Sequence, residues 1–164
     1  MHGEFRQLRY GLKRLEPATA RHARVAQRAA ADQLAAKMGT GWQLMSRSHS
    51  RGLAAVAVAN APLVRLGIDI EYADPTRPWR DIAEVYLPGA AAAGLGPADV
   101  CRLWTFGEAY FKAFGENPDA DQLLKIARTP LEDDEPFAFR SRRWWWSEDA
   151  GDGFVLSLVW EEAL

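Results

Sequence analysis

The sequence predicts an α+β fold in which two similar halves each pack a long helix on a small, mainly antiparallel sheet. An alanine-rich segment with helical spacing at 19–38 is followed by short apolar runs of strand length. A second helical segment at 97–115 is again followed by such runs. Because helix and strands recur in this order, we expect a pseudo-dimer within one domain, 1–164. Its halves would lie at about 1–66 and 67–164, with the active site in the cleft between them.

The helix at 19–38 is predicted to end at Gly39, a residue typical of helix C-termini. Its arginines, Arg21, Arg24 and Arg28, recur every three or four residues and should line one face. The strands predicted after this helix are 42–48, 53–59 and 66–71.

The second half is predicted to begin with a short helix at 79–86. A long helix follows, with Pro97 at its first position, Asp99 in its first turn and Gly115 just past its end. Glu108 and Lys112 lie four residues apart on one face of this helix. The apolar residues expected to pack on the sheet are Val100, Leu103, Phe106, Phe111 and Phe114. The strands predicted after the helix are 122–129, 136–140, 142–147 and 154–160.

Composition excludes several classes of protein. The chain has 164 residues, 48% of them hydrophobic, which suits one compact domain. The single cysteine, Cys101, excludes an internal disulfide framework and a cysteine-rich zinc site. No apolar stretch reaches the length of a membrane span, and the first residues lack the apolar core of a secretory signal. We therefore expect a soluble cytoplasmic protein without a membrane partner.

The charges are distributed unevenly along the chain. Residues 1–66 contain 11 Lys and Arg against 3 acids, and residues 67–164 contain 9 against 19. The basic first half suggests an anionic partner such as nucleic acid, phosphate or an acidic protein. The acidic second half suggests metal ligands or a solvated surface.

Two short stretches contain residues that could carry chemistry. Asp69 and Glu71 lie two apart in a β-branched strand and so share one face, where like charges repel and resist burial. Ser-Arg-Ser-His-Ser at 46–50 ends another strand, and its hydroxyls and imidazole could donate to phosphate oxygens. Taken singly, each stretch is more typical of a solvated strand or a turn, and the Glu108–Lys112 pair is more typical of a surface salt bridge.

In combination, these stretches are more specific. Ser-His-Ser at 48–50, Gly-Ile-Asp-Ile-Glu at 67–71 and Trp-Thr-Phe-Gly-Glu-Ala-Tyr-Phe-Lys at 104–112 occur in this order. The series resembles the motifs of the 4′-phosphopantetheinyl transferase superfamily. The resemblance covers residues 46–115 and favours a short member of the type that activates the carrier proteins of peptide synthetases and polyketide synthases in secondary metabolism.

This resemblance implies a reaction and a metal. The implied activity is a holo-[acyl-carrier-protein] synthase type reaction, which transfers 4′-phosphopantetheine from coenzyme A to a serine of an apo acyl or peptidyl carrier protein and releases 3′,5′-ADP. By the same match, Asp69, Glu71 and Glu108 would hold Mg²⁺, with Mn²⁺ as an alternative. Carboxylate oxygens are the ligands that Mg²⁺ prefers.

The resemblance also implies roles for the remaining site residues. Lys112 would contact the pyrophosphate of coenzyme A, and Ser48 and His49 would hold its phosphates, with His49 near the 3′-phosphate. Glu108 would in addition deprotonate the carrier serine, directly or through a water. The arginines available for the 3′-phosphate or adenine end are Arg21, Arg24 and Arg28. We expect a monomer that has no nucleic-acid partner.

One departure from the family pattern supports an alternative. The family motif has lysine immediately before the helix glutamate, whereas this chain has Gly107. Arg47, Arg51 and Arg102 are substitutes for that cation by residue type alone. If none of them serves, the chain would be a relative that binds coenzyme A or a carrier protein without efficient transfer. A nucleic-acid-binding module is a third hypothesis, but it leaves the carboxylates unexplained.

The run Trp144–Trp146 has two interpretations. In a strand, Trp144 and Trp146 share a face and Trp145 takes the other. The run could pack across the sheet or between the halves, or an exposed Trp145 could contact the carrier protein.

Overall fold

The computed structural model describes residues 2–5, 7–15, 23–87, 89, 94–129 and 135–164. The first half contains the elements β1 (His2–Phe5), β2 (Leu8–Arg14), α1 (Ala23–Lys37), β3 (Leu44–Ser50) and β4 (Leu53–Ala59). After the turn at 60–62, and across the predicted boundary at residue 66, the chain continues with β5 (Leu63–Tyr72), α2 (Trp79–Tyr86), α3 (Pro97–Phe114), α4 (Ala120–Arg128), β6 (Phe137–Arg140), β7 (Arg143–Asp149) and β8 (Phe154–Glu162). The fold is α+β, as predicted.

The strands form two four-stranded antiparallel sheets. The first has the order β1-β2-β4-β3 and the second the order β5-β8-β7-β6. Along the chain, one strand of each sheet is followed by helix and then by a β-hairpin: β2, α1 and β3–β4 in the first sheet, and β5, the helices α2 to α4, β6 and then β7–β8 in the second. The later strand of each hairpin, β4 or β8, lies between its partner and the strand that precedes the helix.

Because side chains alternate between the two faces of each strand, the protein stacks in four layers: α1, the first sheet, the second sheet, and α3 with α4. One face of β4, with Ala55 and Ala57, packs against Ile68 and Leu158 of the second sheet. The opposite face of β4 packs on α1. On the outer side of the second sheet, α3 and α4 pack against Trp145, Val159 and their neighbours. The core therefore lies between the sheets and beneath each helix, as the period of two in the strands dictates.

Helix α3 begins and ends as its sequence predicts. Pro97 occupies the first turn, and the Asp99 carboxylate accepts a hydrogen bond from the Gly96 amide. Gly115 ends the helix at φ 73°, a left-handed conformation that glycine adopts without strain. Val100, Leu103 and Phe106 are buried, as expected.

Phe111 is different, because 51% of it is exposed. Its predicted packing on the sheet is wrong, since the buried face of α3 passes from Phe106 through Ala109 and Tyr110 to Ala113.

The predicted strands and helices are confirmed with one exception. The segment predicted as a strand at 122–129 is helix α4. Asp119 caps this helix by accepting a hydrogen bond from the Gln122 amide, and the Gln122 side chain accepts one from the Asp119 amide in return. Leu123 and Ile126 then share the buried face.

The N-terminal part of the chain departs most from the predicted elements. Strands β1 and β2 were not predicted, and the part of the predicted first helix at 19–22 lies outside the described residues.

The tryptophan run packs inside the protein. Trp145 is 3% exposed and its ring contacts Phe106 of α3 edge to face. Trp146 is also buried and contacts Tyr10 of the first half. The interpretation of Trp145 as an exposed contact for a carrier protein is therefore wrong, and the packing interpretation is confirmed. In the described part of the chain, no helix is long and apolar enough to cross a membrane.

Candidate active site

Strand β5 presents Asp69 and Glu71 to helix α3. Asp69 lies opposite Ser157 of β8, whose hydroxyl bonds to Thr105 of α3, so this face of β5 points towards the helix. At Gly67 the helix comes so close that a Cβ atom would lie 1.9 Å from the carbonyl oxygen of Ala109. Glycine is therefore needed two residues before Asp69 to bring helix and strand together.

Asp69 is the most buried carboxylate of this region, with 7% exposed. Its Oδ1 atom accepts hydrogen bonds from Ser48 Oγ at 2.6 Å and Lys112 Nζ at 2.8 Å. Burial raises the pKa of Asp69, and the charge of Glu108 raises it further, while Lys112 and Ser48 oppose this shift. The carboxylate is thus held in an environment that disfavours its negative charge.

Lys112 joins α3 to both strands at this point. Besides Asp69, its ammonium group donates to the carbonyl oxygens of Ile68 at 2.9 Å and Arg47 at 3.2 Å. It makes no ion pair with Glu108, although the two residues lie one turn apart on the same helix. Within the described residues, Glu108 accepts no hydrogen bond and forms no ion pair, and its side chain is partly exposed.

Glu71 has a different set of partners. It accepts a hydrogen bond from Ser50 Oγ, and its Oε2 atom lies 3.5 Å from Arg77 Nη1. The Arg77 guanidinium lies 5.1 Å from the ring centroid of Trp79 and 5.5 Å from that of Trp104. Two aromatic faces therefore hold a cation beside Glu71.

The serines of 46–50 form a ladder along the edge of β5. Ser46 Oγ accepts a hydrogen bond from the Ile68 amide at 3.0 Å, and Ser50 Oγ accepts one from the Tyr72 amide at 3.3 Å. Ser48, between them, donates to Asp69. The three buried hydroxyls, which we call the serine ladder, thus join the edges of the two sheets at the candidate site.

A cleft opens beside the serine ladder. It has a volume of about 460 Å³ and lies between α1, β3 and the end of Lys112. The side chains that line it are Arg28, Ala31, Asp32, Arg47, Ser48, His49 and Lys112. Arg47 pairs with Asp32, while His49 is exposed. Four of the predicted site residues, Arg28, Ser48, His49 and Lys112, therefore share one cleft.

The other arginines predicted for the site either lie outside the described side chains or have partners elsewhere. Arg21 lies outside the described residues, and for Arg24 only the helical backbone is described. Of the three substitutes considered for the missing lysine, Arg102 is buried, donates to the Thr129 carbonyl and pairs with Asp99. Arg51 pairs with Asp74. Arg47 is the one that lines the cleft.

The predicted metal ligands are neighbours, but they do not converge. Among the residues that the structure describes, no three acidic, histidine or cysteine side chains form a group that could hold a metal ion. Asp69 is paired with Lys112, and Glu71 with Arg77. Burial raises the pKa of the Cys101 thiol to about 12, and the charges of Glu71 and Asp69 contribute to this increase. The charges of Glu71 and Asp69 therefore act on the same neighbouring group, but among the described residues these side chains do not form a common metal site.

Sequence reasoning missed two residues of this site. Arg77 lies in the loop after β5, where nothing local distinguishes it from a solvated arginine. Tyr86 lies at the end of α2 and its ring contacts Trp104 edge to face, with ring centroids 6.1 Å apart. Burial and the charges of Glu108 and Asp69 raise the pKa of Tyr86. Only the packing of α2 on α3 brings these side chains to the carboxylates.

Comparison with known proteins adds one relative. The 4′-phosphopantetheinyl transferase HetI of Nostoc sp. (strain PCC 7120) is 34% identical over 96 residues, an alignment that covers 54% of this chain and 40% of the relative. The chain thus spans about 40% of the length of the curated relative that it matches. No family model matches the sequence. The similarity to HetI confirms the resemblance to the 4′-phosphopantetheinyl transferase superfamily that the three motifs predict.

Proposed function

We propose that this protein transfers 4′-phosphopantetheine from coenzyme A to a serine hydroxyl of an apo acyl or peptidyl carrier protein and releases 3′,5′-ADP. The observation that carries the proposal is the contact of the three motifs around one buried carboxylate. Asp69 accepts hydrogen bonds from Ser48 of the first motif and from Lys112 of the third. The similarity to HetI supports the same reaction class.

The cleft supplies donors for an anionic ligand. Arg28, Ser48, His49 and Lys112 line it. Guanidinium, ammonium and hydroxyl groups are the usual partners of phosphate oxygens, and coenzyme A carries a diphosphate and a 3′-phosphate. We propose that His49 and one arginine of α1, among Arg21, Arg24 and Arg28, bind the 3′-phosphate end. Lys112 would then contact the diphosphate.

We propose Mg²⁺, or Mn²⁺ in its place, as the cofactor, held by Asp69, Glu71 and Glu108. The donor chemistry fits, because all three are hard oxygen ligands and the buried Asp69 lies where its own charge is disfavoured. Binding requires Lys112 and Arg77 to release the carboxylates with which they now pair. When bound, the metal would supply electrostatic stabilisation for the charge that develops on the leaving 5′-phosphate of 3′,5′-ADP.

The protein's own residues then have defined tasks. Glu108, free of ion pairs within the described residues, accepts the proton of the carrier serine. The serine oxygen forms a bond to the phosphorus that bears pantetheine, the bond from this phosphorus to the second phosphate breaks, and 3′,5′-ADP leaves. Lys112 donates to a phosphate oxygen and offsets part of the charge on the leaving group.

The architecture suits this proposal. We propose that the two halves form a pseudo-dimer joined near residue 66, with the active site between them. The repeated order of strand, helix and hairpin in the two sheets supports this. Because β5, Leu63–Tyr72, extends across residue 66, the turn at 60–62 would join the halves. With both halves in one chain, we propose a monomer that works in the cytoplasm.

The test is a transfer assay. The protein is incubated with coenzyme A, Mg²⁺ and a panel of apo acyl and peptidyl carrier proteins, and intact masses are measured. We expect one carrier to gain one phosphopantetheine, and the gain to be lost with EDTA and in Asp69→Ala. The matched control is Asp81→Ala, which removes an exposed acid from the first turn of α2 and should leave the transfer unchanged.

Two results would contradict the proposal. If no carrier gains mass but the protein binds coenzyme A in a Mg²⁺-dependent manner, the chain is a binding relative rather than an efficient transferase. If it binds neither coenzyme A nor Mg²⁺, the assignment of the whole site is wrong.

A further inference from the structure

The ring of Tyr86 covers Gly107 of helix α3. A Cβ atom at position 107 would lie 3.0 Å from Tyr86 Cε1, 3.4 Å from its Oη and 3.6 Å from its Cζ. Ordinary carbon contacts begin near 3.5 Å, so any larger residue would displace the ring by a few tenths of an ångström. The absent side chain of residue 107 therefore leaves the space that this phenol occupies.

Other contacts fix the orientation of the ring. Tyr86 lies in the last turn of α2, and Trp104 of α3 contacts it edge to face. Trp104 and Gly107 are one turn apart on α3, so together they form the helix surface against which the Tyr86 ring packs. The side chain is only partly buried, and within the described part of the chain its hydroxyl makes no hydrogen bond.

The phenol also lies beside the candidate site, because Gly107, which its ring covers, directly precedes Glu108 in α3. Burial, with smaller contributions from the charges of Glu108 and Asp69, raises the pKa of Tyr86 and so favours its protonated form. A neutral phenol keeps one hydrogen-bond donor. A donor that has no partner among the described residues, beside a site proposed to bind an anionic ligand, is suited to a ligand oxygen.

We infer that Tyr86 is a substrate-contacting residue whose hydroxyl donates a hydrogen bond to a phosphate oxygen of the coenzyme A diphosphate, and that Gly107 is the positioning residue that makes room for it. This inference rests on the proposed transfer reaction. The phosphate oxygens only accept hydrogen bonds, so they match a group that can only donate to them. Residue 107, where the superfamily motif has a lysine, thus contributes by its small size, and the donor comes from α2.

The test compares Tyr86→Phe with the wild type in the binding of coenzyme A and in transfer to a carrier. Removing only the oxygen keeps the ring against Trp104, so the thermal midpoint should stay within about 2 °C of the wild type. We expect the affinity for coenzyme A and kcat each to fall roughly 10-fold or more, the loss typical of one hydrogen bond to a charged group. The matched control is Tyr110→Phe. It removes the hydroxyl of another tyrosine, a residue of α3 itself, which bonds to Arg143 and Gln122, and should leave the affinity for coenzyme A unchanged.

Gly107→Ala tests the second part of the inference. The added methyl group should shift the ring and reduce transfer in the wild-type background. In the Tyr86→Phe background it should add little, because the hydroxyl that it would misplace is already gone. Equal losses in both backgrounds would overturn the positioning role of Gly107.

The outcomes separate this inference from the proposed function. Wild-type transfer together with an unimpaired Tyr86→Phe variant would overturn the role of Tyr86 and leave the proposed function intact. If the wild type transfers nothing, the proposed function fails. The coenzyme A affinity of the two proteins then decides the inference: an equal affinity overturns it, and a weaker affinity of Tyr86→Phe supports the contact.

Discussion

Asp74, in the loop after β5, shows how a single residue responds to pH. Its Oδ1 atom accepts hydrogen bonds from the amide of Thr76 at 3.0 Å and from its hydroxyl at 2.8 Å. These bonds, together with the charge of Arg51, lower the pKa of Asp74 below its ordinary value. The carboxylate is therefore favoured in the folded state and stabilises it above the ordinary aspartate pKa of about 3.9.

We predict that Asp74→Asn is less stable than the wild type at neutral pH and that this difference closes on acidification. The stabilisation is lost as the pH falls through the lowered pKa, because the carboxyl is then protonated in both states. Urea unfolding near pH 7 and near pH 3, for the wild type and the variant, measures this difference. A gap that stays constant or widens at low pH would contradict the prediction.

At the residue scale, the motifs predicted that the side chains hydrogen-bonded to Asp69 would lie together, whereas other side chains near them had no signal in the sequence. Asp69, Ser48 and Lys112 lie together as three motifs in order suggest. Arg77 and Tyr86 have no local signature, because their roles come from the packing of α2 against α3. For the same reason, the sequence could not exclude Arg102 as a substitute for the missing lysine. Its charge is right, but the side chain lies buried against Asp99 and Thr129.

At the scale of elements, the close contact of α3 with β5 depends on Gly67. A Cβ atom there would overlap the Ala109 carbonyl at 1.9 Å and lie 3.0 Å from the Ala113 amide nitrogen. Because these are backbone atoms, no side-chain rotation relieves the overlap, and helix and strand must separate.

We predict that Gly67→Ala lowers the free energy of unfolding by about 3 kcal/mol, the upper part of the range for overpacked cores. Urea unfolding followed by circular dichroism measures the loss. The matched control is Gly96→Ala, where the new methyl group would lie 3.5 Å from Asp99 Oδ2, an ordinary contact. If Gly67→Ala were as stable as this control, the close approach of helix and strand would be refuted.

The serine ladder allows a second prediction at this scale. Ser46→Ala leaves the buried amide of Ile68 without its acceptor, and such a loss costs about 1–3 kcal/mol. Hydrogen exchange should show faster exchange of the Ile68 amide than in the wild type. Ser141→Ala, an exposed serine in the turn between β6 and β7, is the control and should change neither quantity. An Ile68 amide that stays fully protected in Ser46→Ala would refute this role.

Helix α4 shows why one element was predicted wrongly. Its apolar residues Leu123, Leu124 and Ile126 form a short run that suits either a strand or a helix. The capping pair Asp119 and Gln122 was the signal that could have decided for the helix. Strand β2 also carried a signal, since Leu8, Tyr10 and Leu12 alternate with polar residues or glycine. Its pairing with β4, however, joins residues far apart in the sequence and leaves no local trace.

At the scale of the whole molecule, the two sheets share one core. Leu8 and Leu53 of the first sheet pack with Ile70 and Leu158 of the second. Further contacts between the sheets are the hydrogen bond from Tyr10 to Glu148 and the ion pair of Arg14 with Asp152. Neither half buries its inner face without the other, so the halves should depend on each other for stability.

We predict a single cooperative unfolding transition. Tryptophan fluorescence, which reports mainly on the second half, and far-ultraviolet circular dichroism, which reports on both, should give coincident curves. Leu158→Ala, at a fully buried position of the shared core, should lower the free energy of unfolding by about 2–5 kcal/mol and shift both curves together. Two separate transitions would show that the halves fold independently.

The serine ladder has a further consequence for the behaviour of the protein in a crowded solution. Both β3 and β5 are outer strands of their sheets, and an outer strand with free amides can recruit a strand from another molecule. Hydroxyl groups of one strand occupy the amides of Ile68 and Tyr72 on the other. The contact between β3 and the candidate site thus also protects the edge of β5 against intermolecular pairing and so against the growth of aggregates.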